Sequence, residues 1–107
     1  MRIEFTFRNL ESSEALKQYA ADKLGKLQKY LRAPLDLQVT FSVERHLHCC
    51  DVNLNSHGES YQGREESEDM YASIDVVTDK IRSQLIRSKE LFEGRRRTAP
   101  ASNPPGE

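Results

Sequence analysis

Residues 35–44 alternate without a break. Leu35, Leu37, Val39, Phe41 and Val43 are apolar, and Asp36, Gln38, Thr40, Ser42 and Glu44 are polar. Successive side chains of a strand point to opposite faces, so a period of two demands a strand with one dry face and one wet face. A sheet of such strands has to bury its dry side under a second layer. The same pattern recurs at Ile3, Phe5 and Phe7, which alternate with Arg2, Glu4, Thr6 and Arg8. After a predicted hairpin near Arg45 to Leu47, His48, Cys50, Val52 and Leu54 form the inward set of a third strand, with Asp51, Asn53 and Asn55 outward. The stretch Asn55, Ser56, His57, Gly58 tolerates tight-turn dihedrals and leads into a weaker strand over about Ser60 to Glu65.

Helical spacing supplies the covering layer. Leu16, Tyr19, Ala20, Leu24, Leu27, Tyr30 and Leu31 recur at intervals of three and four, behind a cap at Ser12 or Ser13 and with Glu14 in the first turn. This helix is predicted to run to Arg32, with Pro34 as its stop. A second helix should begin near Ser67 to Asp69, place Ile74, Val77, Ile81, Leu85 and Phe92 on one face, and end at Gly94. The order is β-α-β-β-β-α. It specifies an α+β fold, a two-layer sandwich in which a four-stranded sheet carries both helices on one face. A chain of 107 residues has room for about one domain. Residues 1–93 are assigned to it, and 94–107, with three prolines and almost no apolar residues, to a disordered tail.

The net charge of −1 excludes a uniformly basic nucleic-acid binder, but the charge is segregated. Glu59, Glu65, Glu66, Glu68 and Asp69 face only Arg64 within 59–69, whereas Lys80, Arg82, Arg87, Lys89, Arg95, Arg96 and Arg97 outnumber Asp79, Glu90 and Glu93 within 79–97. At about 100° per residue, Lys80 and Arg87 flank the apolar stripe of the second helix on one side, and Arg82 and Lys89 flank it on the other. Lys26, Lys29 and Arg32 lie off the stripe of the first. Two such helices side by side make a groove able to meet phosphates. Most aromatic residues are committed to the core, so recognition by backbone and shape is expected over base readout.

Other chemistries lack their residues. The five glycines are scattered, so no phosphate-cradling loop forms, and no nucleophile-base or paired-carboxylate signature is present. His46, His48, Cys49, Cys50 and His57 have metal-ligand side chains, but Cys49 and Cys50 should point to opposite faces of a strand, so no metal site is expected. Neighbouring cysteines staple no loop, and free thiols are predicted. Met1 to Leu10 has no continuous apolar stretch of the kind a signal peptide carries, so a cytoplasmic location is expected.

The stretch Glu68-Asp69-Met70-Tyr71-Ala72-Ser73-Ile74-Asp75, followed by Asp79-Lys80, Gln84-Leu85-Ile86 and Lys89-Glu90, closely resembles the signature of the ribosome hibernation promoting factors, also called ribosome-associated inhibitors or sigma-54 modulation proteins. Ala15-Leu16 with Tyr19, then Lys23, Lys26-Leu27 and Lys29, resemble the first helix of that family, and Val39 to Glu44 its second strand. The resemblance covers about residues 1–92. It implies the fold derived above and a non-enzymatic inhibitor that occupies the decoding channel of the small ribosomal subunit, blocking messenger and transfer RNA in stationary phase or stress. By position, it implies rRNA phosphate contacts at Arg8, Lys26, Lys29, Lys80, Arg87 and Lys89; Arg82 joins the candidate rRNA-binding set only as a basic residue flanking the stripe of the second helix, not through the resemblance. Two positions depart from the family pattern: Ser83 stands where a basic residue is common, and Arg82 where an acidic one is frequent. The long forms of the family add a C-terminal domain, and this chain resembles a short form. No cofactor, small-molecule substrate or membrane partner is implied, and a monomer is expected away from the ribosome. The competing expectation is a protein-interaction module acting on the transcription machinery, as the sigma-54 name suggests.

Because Arg95 to Glu107 offers almost no apolar surface to bury, deleting it should leave the thermal midpoint unchanged; a large drop in a melting experiment would show that the segment packs.

Overall fold

A computed structural model describes residues 1–96, with side chains as far as Ser88. The tail expected over 94–107 therefore lies outside the described residues from 97 onward, and so do the side chains of Lys89 and Phe92. The elements follow in the order β1 (Arg2–Arg8), α1 (Glu14–Gly25), a 3-10 segment (Lys26–Tyr30), β2 (Asp36–Glu44), β3 (Leu47–Ser56), β4 (Glu59–Ser67) and α2 (Met70–Arg96). The strands form one sheet in sequence order. β1 pairs parallel with β2, as a strand-helix-strand crossover requires, while β3 and β4 are added by antiparallel hairpins.

Alternation becomes packing. Leu37, Val39 and Phe41 of β2 and Cys50, Val52 and Leu54 of β3 are buried on the face that also receives Leu16, Ala20, Leu24 and Leu27 from the α1 region and Ile74, Val77, Ile81 and Leu85 from α2. Phe41 is the largest of them, stacked on Phe5 and tilted against Phe7, so the edge strand β1 is pinned by aromatic contacts. The β3–β4 turn has His57 and Gly58 both at positive φ between the paired Ser56 and Glu59, the arrangement that suits the twist of a two-residue hairpin.

Three boundaries differ from the sequence expectation. The first helix stops being α-helical at Gly25 and tightens to a 3-10 segment over Lys26–Tyr30, instead of continuing to Arg32. The cause is the Gln28 side chain. Its amide donates to the carbonyls of Leu31 and Ala33, and its oxygen accepts from the Leu35 amide, so one residue satisfies the backbone of the turn into β2. β4 is longer than expected, at both ends, because its whole length is covered by pairing with β3. α2 is described to Arg96, two residues past the glycine expected to end it. Its start is capped by Asp69, whose carboxylate accepts from the Tyr71 amide at 3.2 Å.

α2 is seated on β4 through Gly63. A Cβ there would lie 3.0 Å from Val77 Cγ2 and 3.2 Å from Ile81 Cγ1. Close approach lets the flank of α2 reach the outer edge of the strand: Lys80 Nζ donates to Arg64 O at 3.3 Å, and Gln84 Nε2 to Gln62 O at 2.8 Å. Four residues of helix advance about 6 Å and two of strand about 6.6 Å, so one helical turn matches alternate edge carbonyls. Two of the strand's outward carbonyls are thereby taken by helix side chains, which makes this stretch of the edge a poorer template for another strand.

Gly63→Val should destabilise the fold by roughly 1–3 kcal/mol, because neither helix backbone nor strand can retreat without opening the core. The shift of the urea midpoint measures it, and an unchanged midpoint would show that α2 is not held this closely.

Candidate nucleic-acid interface

β4 runs in the direction of β1, and each helix returns from the strand before it, so α1 and α2 lie parallel with both N-termini at one end of the sheet. Their contacts ascend together. Tyr19 packs edge-on against Tyr71, with ring centroids 4.9 Å apart, and its hydroxyl donates to Asp75 Oδ1 at 2.7 Å. One turn on, Lys23 Nζ lies 3.4 Å from the same carboxylate oxygen. Beyond it a cleft of about 350 Å³ opens between the helices, lined by Lys23, Lys26, Lys29, Asp75, Asp79 and Arg82 over a floor that includes Leu27 and Thr78.

Four cations thus converge on one groove, in different states. Lys23 is engaged by Asp75, whose hydrogen bond and charge hold its ammonium above the usual lysine range; the same carboxylate raises the Tyr19 hydroxyl. Arg82 Nη2 is paired with Asp79 Oδ1 at 2.9 Å. Lys26 and Lys29 have no carboxylate partner among the described residues, and the Lys29 ammonium sits 5.3 Å from the Tyr30 ring centroid. They are the cations most ready to exchange solvent for phosphate.

Of the positions expected from sequence, the structure brings Lys26, Lys29 and Arg82 together. Lys26 and Lys29 do so from the 3-10 segment, not from the α-helix expected there. Lys80 is on the opposite flank of α2, 2.6 Å from Glu65 Oε1. Arg87 is exposed, and seven residues of helix bring it back to the flank of Lys80. Arg8 ends β1 on the wet face of the sheet, away from both helices. Ser83 is exposed on the solvent crest, so Arg82, one residue earlier, is the side chain that turns toward α1. Lys23, Tyr19, Asp75 and Asp79 were not among the expected contacts. The signal was present as two i, i+4 pairs, Tyr19 with Lys23 and Asp75 with Asp79, each flanking an apolar stripe.

Comparison with known proteins gives a consistent result. Residues 3–91 match the family model described as sigma 54 modulation protein / S30EA ribosomal protein. A ribosome hibernation promoting factor of Salmonella typhimurium is 34% identical over 93 residues, which span 87% of this chain and 98% of the relative. One from Azotobacter vinelandii is 30% identical over 105 residues, spanning 97% and 98%. Among solved structures, the N-terminal domain of Thermus thermophilus Protein Y superposes with a TM-score of 0.76 at 28% identity, covering 81% of this chain and 98% of that domain.

The His and Cys residues are arranged differently from a metal site. Among the described residues, no three His, Cys, Asp or Glu side chains come together as ligands. Cys50 faces the core and Cys49 the wet face, yet both are buried and free. Cys49 lies beside Ser42 and under Arg64, which spans from Asp51 at 3.5 Å to Glu66 at 3.1 Å across the wet face. Burial raises the Cys49 thiol and pushes Cys50 up to about 12. A thiol acid whose folded pKa is raised stays protonated and unreactive at neutral pH. At pH 8 native protein should therefore resist iodoacetamide at both cysteines, and unfolding in urea should expose both; alkylation of native Cys50 would show that its strand opens.

Proposed function

The chain belongs to the sigma 54 modulation protein / S30EA ribosomal protein family, and on that premise we propose that it is a ribosome hibernation factor of the cytoplasm, a non-enzymatic protein that binds the small ribosomal subunit in its decoding channel and excludes messenger and transfer RNA. It acts as a monomer until it docks. The observation that carries the reading is the groove between α1 and α2, where Lys26, Lys29 and Arg82 converge on one cleft of a chain whose net charge is only −1. Charge concentrated on one rim of a near-neutral domain directs it to a polyanion in one orientation.

The contacts are with backbone phosphates. Lys26 and Lys29 reach them without first leaving a carboxylate, and Arg82 reaches them by exchanging Asp79 for a phosphate, which its planar guanidinium can grip with two donors. Lys80, Arg87, Lys89 and Arg8 are secondary contacts in this scheme. Lys80 has to give up Glu65 and the Arg64 carbonyl, and Arg8 approaches from the other face of the sheet. No helix among the described residues is long and apolar enough to cross a membrane.

Co-sedimentation with isolated small subunits across a salt series tests this. The triple variant Lys26→Gln, Lys29→Gln, Arg82→Gln should lose affinity and lower the salt slope by somewhat under three units, since each phosphate contact releases counterions. The set Lys80→Gln, Arg87→Gln, Lys89→Gln should lose less per residue, and Lys17→Gln, on the outer side of α1, should change little. Equal binding by parent and groove triple at moderate salt would overturn the assignment; salt-insensitive binding to transcription proteins in place of ribosomes would favour the interaction-module alternative.

A further inference from the structure

The groove contains charges of the wrong sign for its proposed partner. Asp75 and Asp79 stand one helical turn apart on the same flank of α2 and line the cleft together with Lys26 and Lys29. Each is tied to a cation, Asp75 to Lys23 at 3.4 Å and Asp79 to Arg82 at 2.9 Å, so two of the four cations are internally countered. Asp75 is also fixed in place by the Tyr19 hydroxyl at 2.7 Å. Neither pair is buried: the Asp75 and Asp79 side chains are 43% and 62% exposed. Exposed pairs of this kind contribute little stability, so the ion pairs alone do not explain the two carboxylates; Asp75 also joins the helices through Tyr19, whereas among the described residues Asp79 pairs only with Arg82 of its own helix.

We propose that Asp75 and Asp79 are specificity-determining residues of the RNA groove, which reject phosphate backbones that do not match it. The inference rests on the groove's reading as an rRNA-binding surface and extends it from the residues that attract to those that repel. A purely basic cleft binds any polyanion, because phosphate contacts carry no sequence information. A generic duplex can slide until its phosphates come near every available cation, and here it meets a carboxylate beside Lys23 and another beside Arg82. A folded rRNA surface offers a fixed set of phosphate positions. It can place phosphates at Lys26 and Lys29 and leave gaps opposite the two aspartates. Discrimination then comes from a penalty on the wrong partner.

The test uses the full chain with Asp79→Asn and, separately, Asp75→Asn, which preserves an acceptor oxygen for Tyr19. Each is titrated against a mixed-sequence RNA duplex and against isolated small subunits. Asp79→Asn should raise duplex affinity roughly two- to fivefold, the scale of one exposed charge interaction. Its salt slope on the duplex should steepen by just under one unit as Arg82 becomes free for a phosphate. Affinity for small subunits should change less, so the ratio between the two partners narrows. Asp75→Asn should act in the same direction through Lys23. Unchanged melting midpoints separate these effects from misfolding. Duplex affinity and slope equal to the parent's would overturn the proposal, and so would an equal gain on both partners. Failure of the parent to bind small subunits would instead overturn the proposed function, while the duplex arm still decides whether the aspartates repel phosphate.

Discussion

The absence of a side chain at Gly63 fixes where α2 can lie, and most of the molecule's working geometry follows from that seat. With Val77 and Ile81 in van der Waals reach of the strand backbone, α2 sits over β4, close enough for Lys80 and Gln84 to occupy the edge carbonyls. The same seat turns the other flank, bearing Asp75, Thr78, Asp79 and Arg82, toward α1. A bulkier residue at 63 would lift the helix and shift both flanks at once. Interiors are close-packed, so a displacement of this kind is transmitted to the groove and not absorbed locally.

How legible the fold was depended on the range of the interaction. Period-two alternation in β2 and period-3.6 spacing in α2 are local properties, and they gave the element order, the layer arrangement and nearly all of the core, from Leu37 and Phe41 to Ile74 and Leu85. What escaped was decided by side chains acting on distant or non-repeating backbone. Gln28 ends the first helix by bonding Leu31, Ala33 and Leu35, and no propensity encodes that bond set. Cys49 sits at an outward position and is nonetheless buried, because Arg64 lies across it from the neighbouring strand. Family resemblance had the opposite strength. It pointed to basic positions, and helical spacing put Lys80 and Arg82 on opposite flanks of α2, but neither showed that Lys80 is engaged by Glu65 at the sheet edge while Arg82 lines the cleft toward α1.

Those two residues show why counting basic side chains is a poor guide to a phosphate-binding surface. Both belong to the same basic segment and both form an ion pair, yet the partners differ in kind. Glu65 belongs to the sheet edge, and the Lys80 ammonium that it holds also donates to the strand backbone, so releasing Lys80 uncovers a β4 carbonyl. Asp79 belongs to α2 itself, three residues before Arg82, so releasing Arg82 breaks no contact between elements. The cost of recruiting a cation is set by what it leaves behind: for Lys80 a strand carbonyl loses its partner, whereas for Arg82 an exposed carboxylate returns to water. On that ground Arg82 can be recruited to an anion at less cost to the fold than Lys80. On the flank of α2 over β4, Lys80 is instead engaged with the sheet edge.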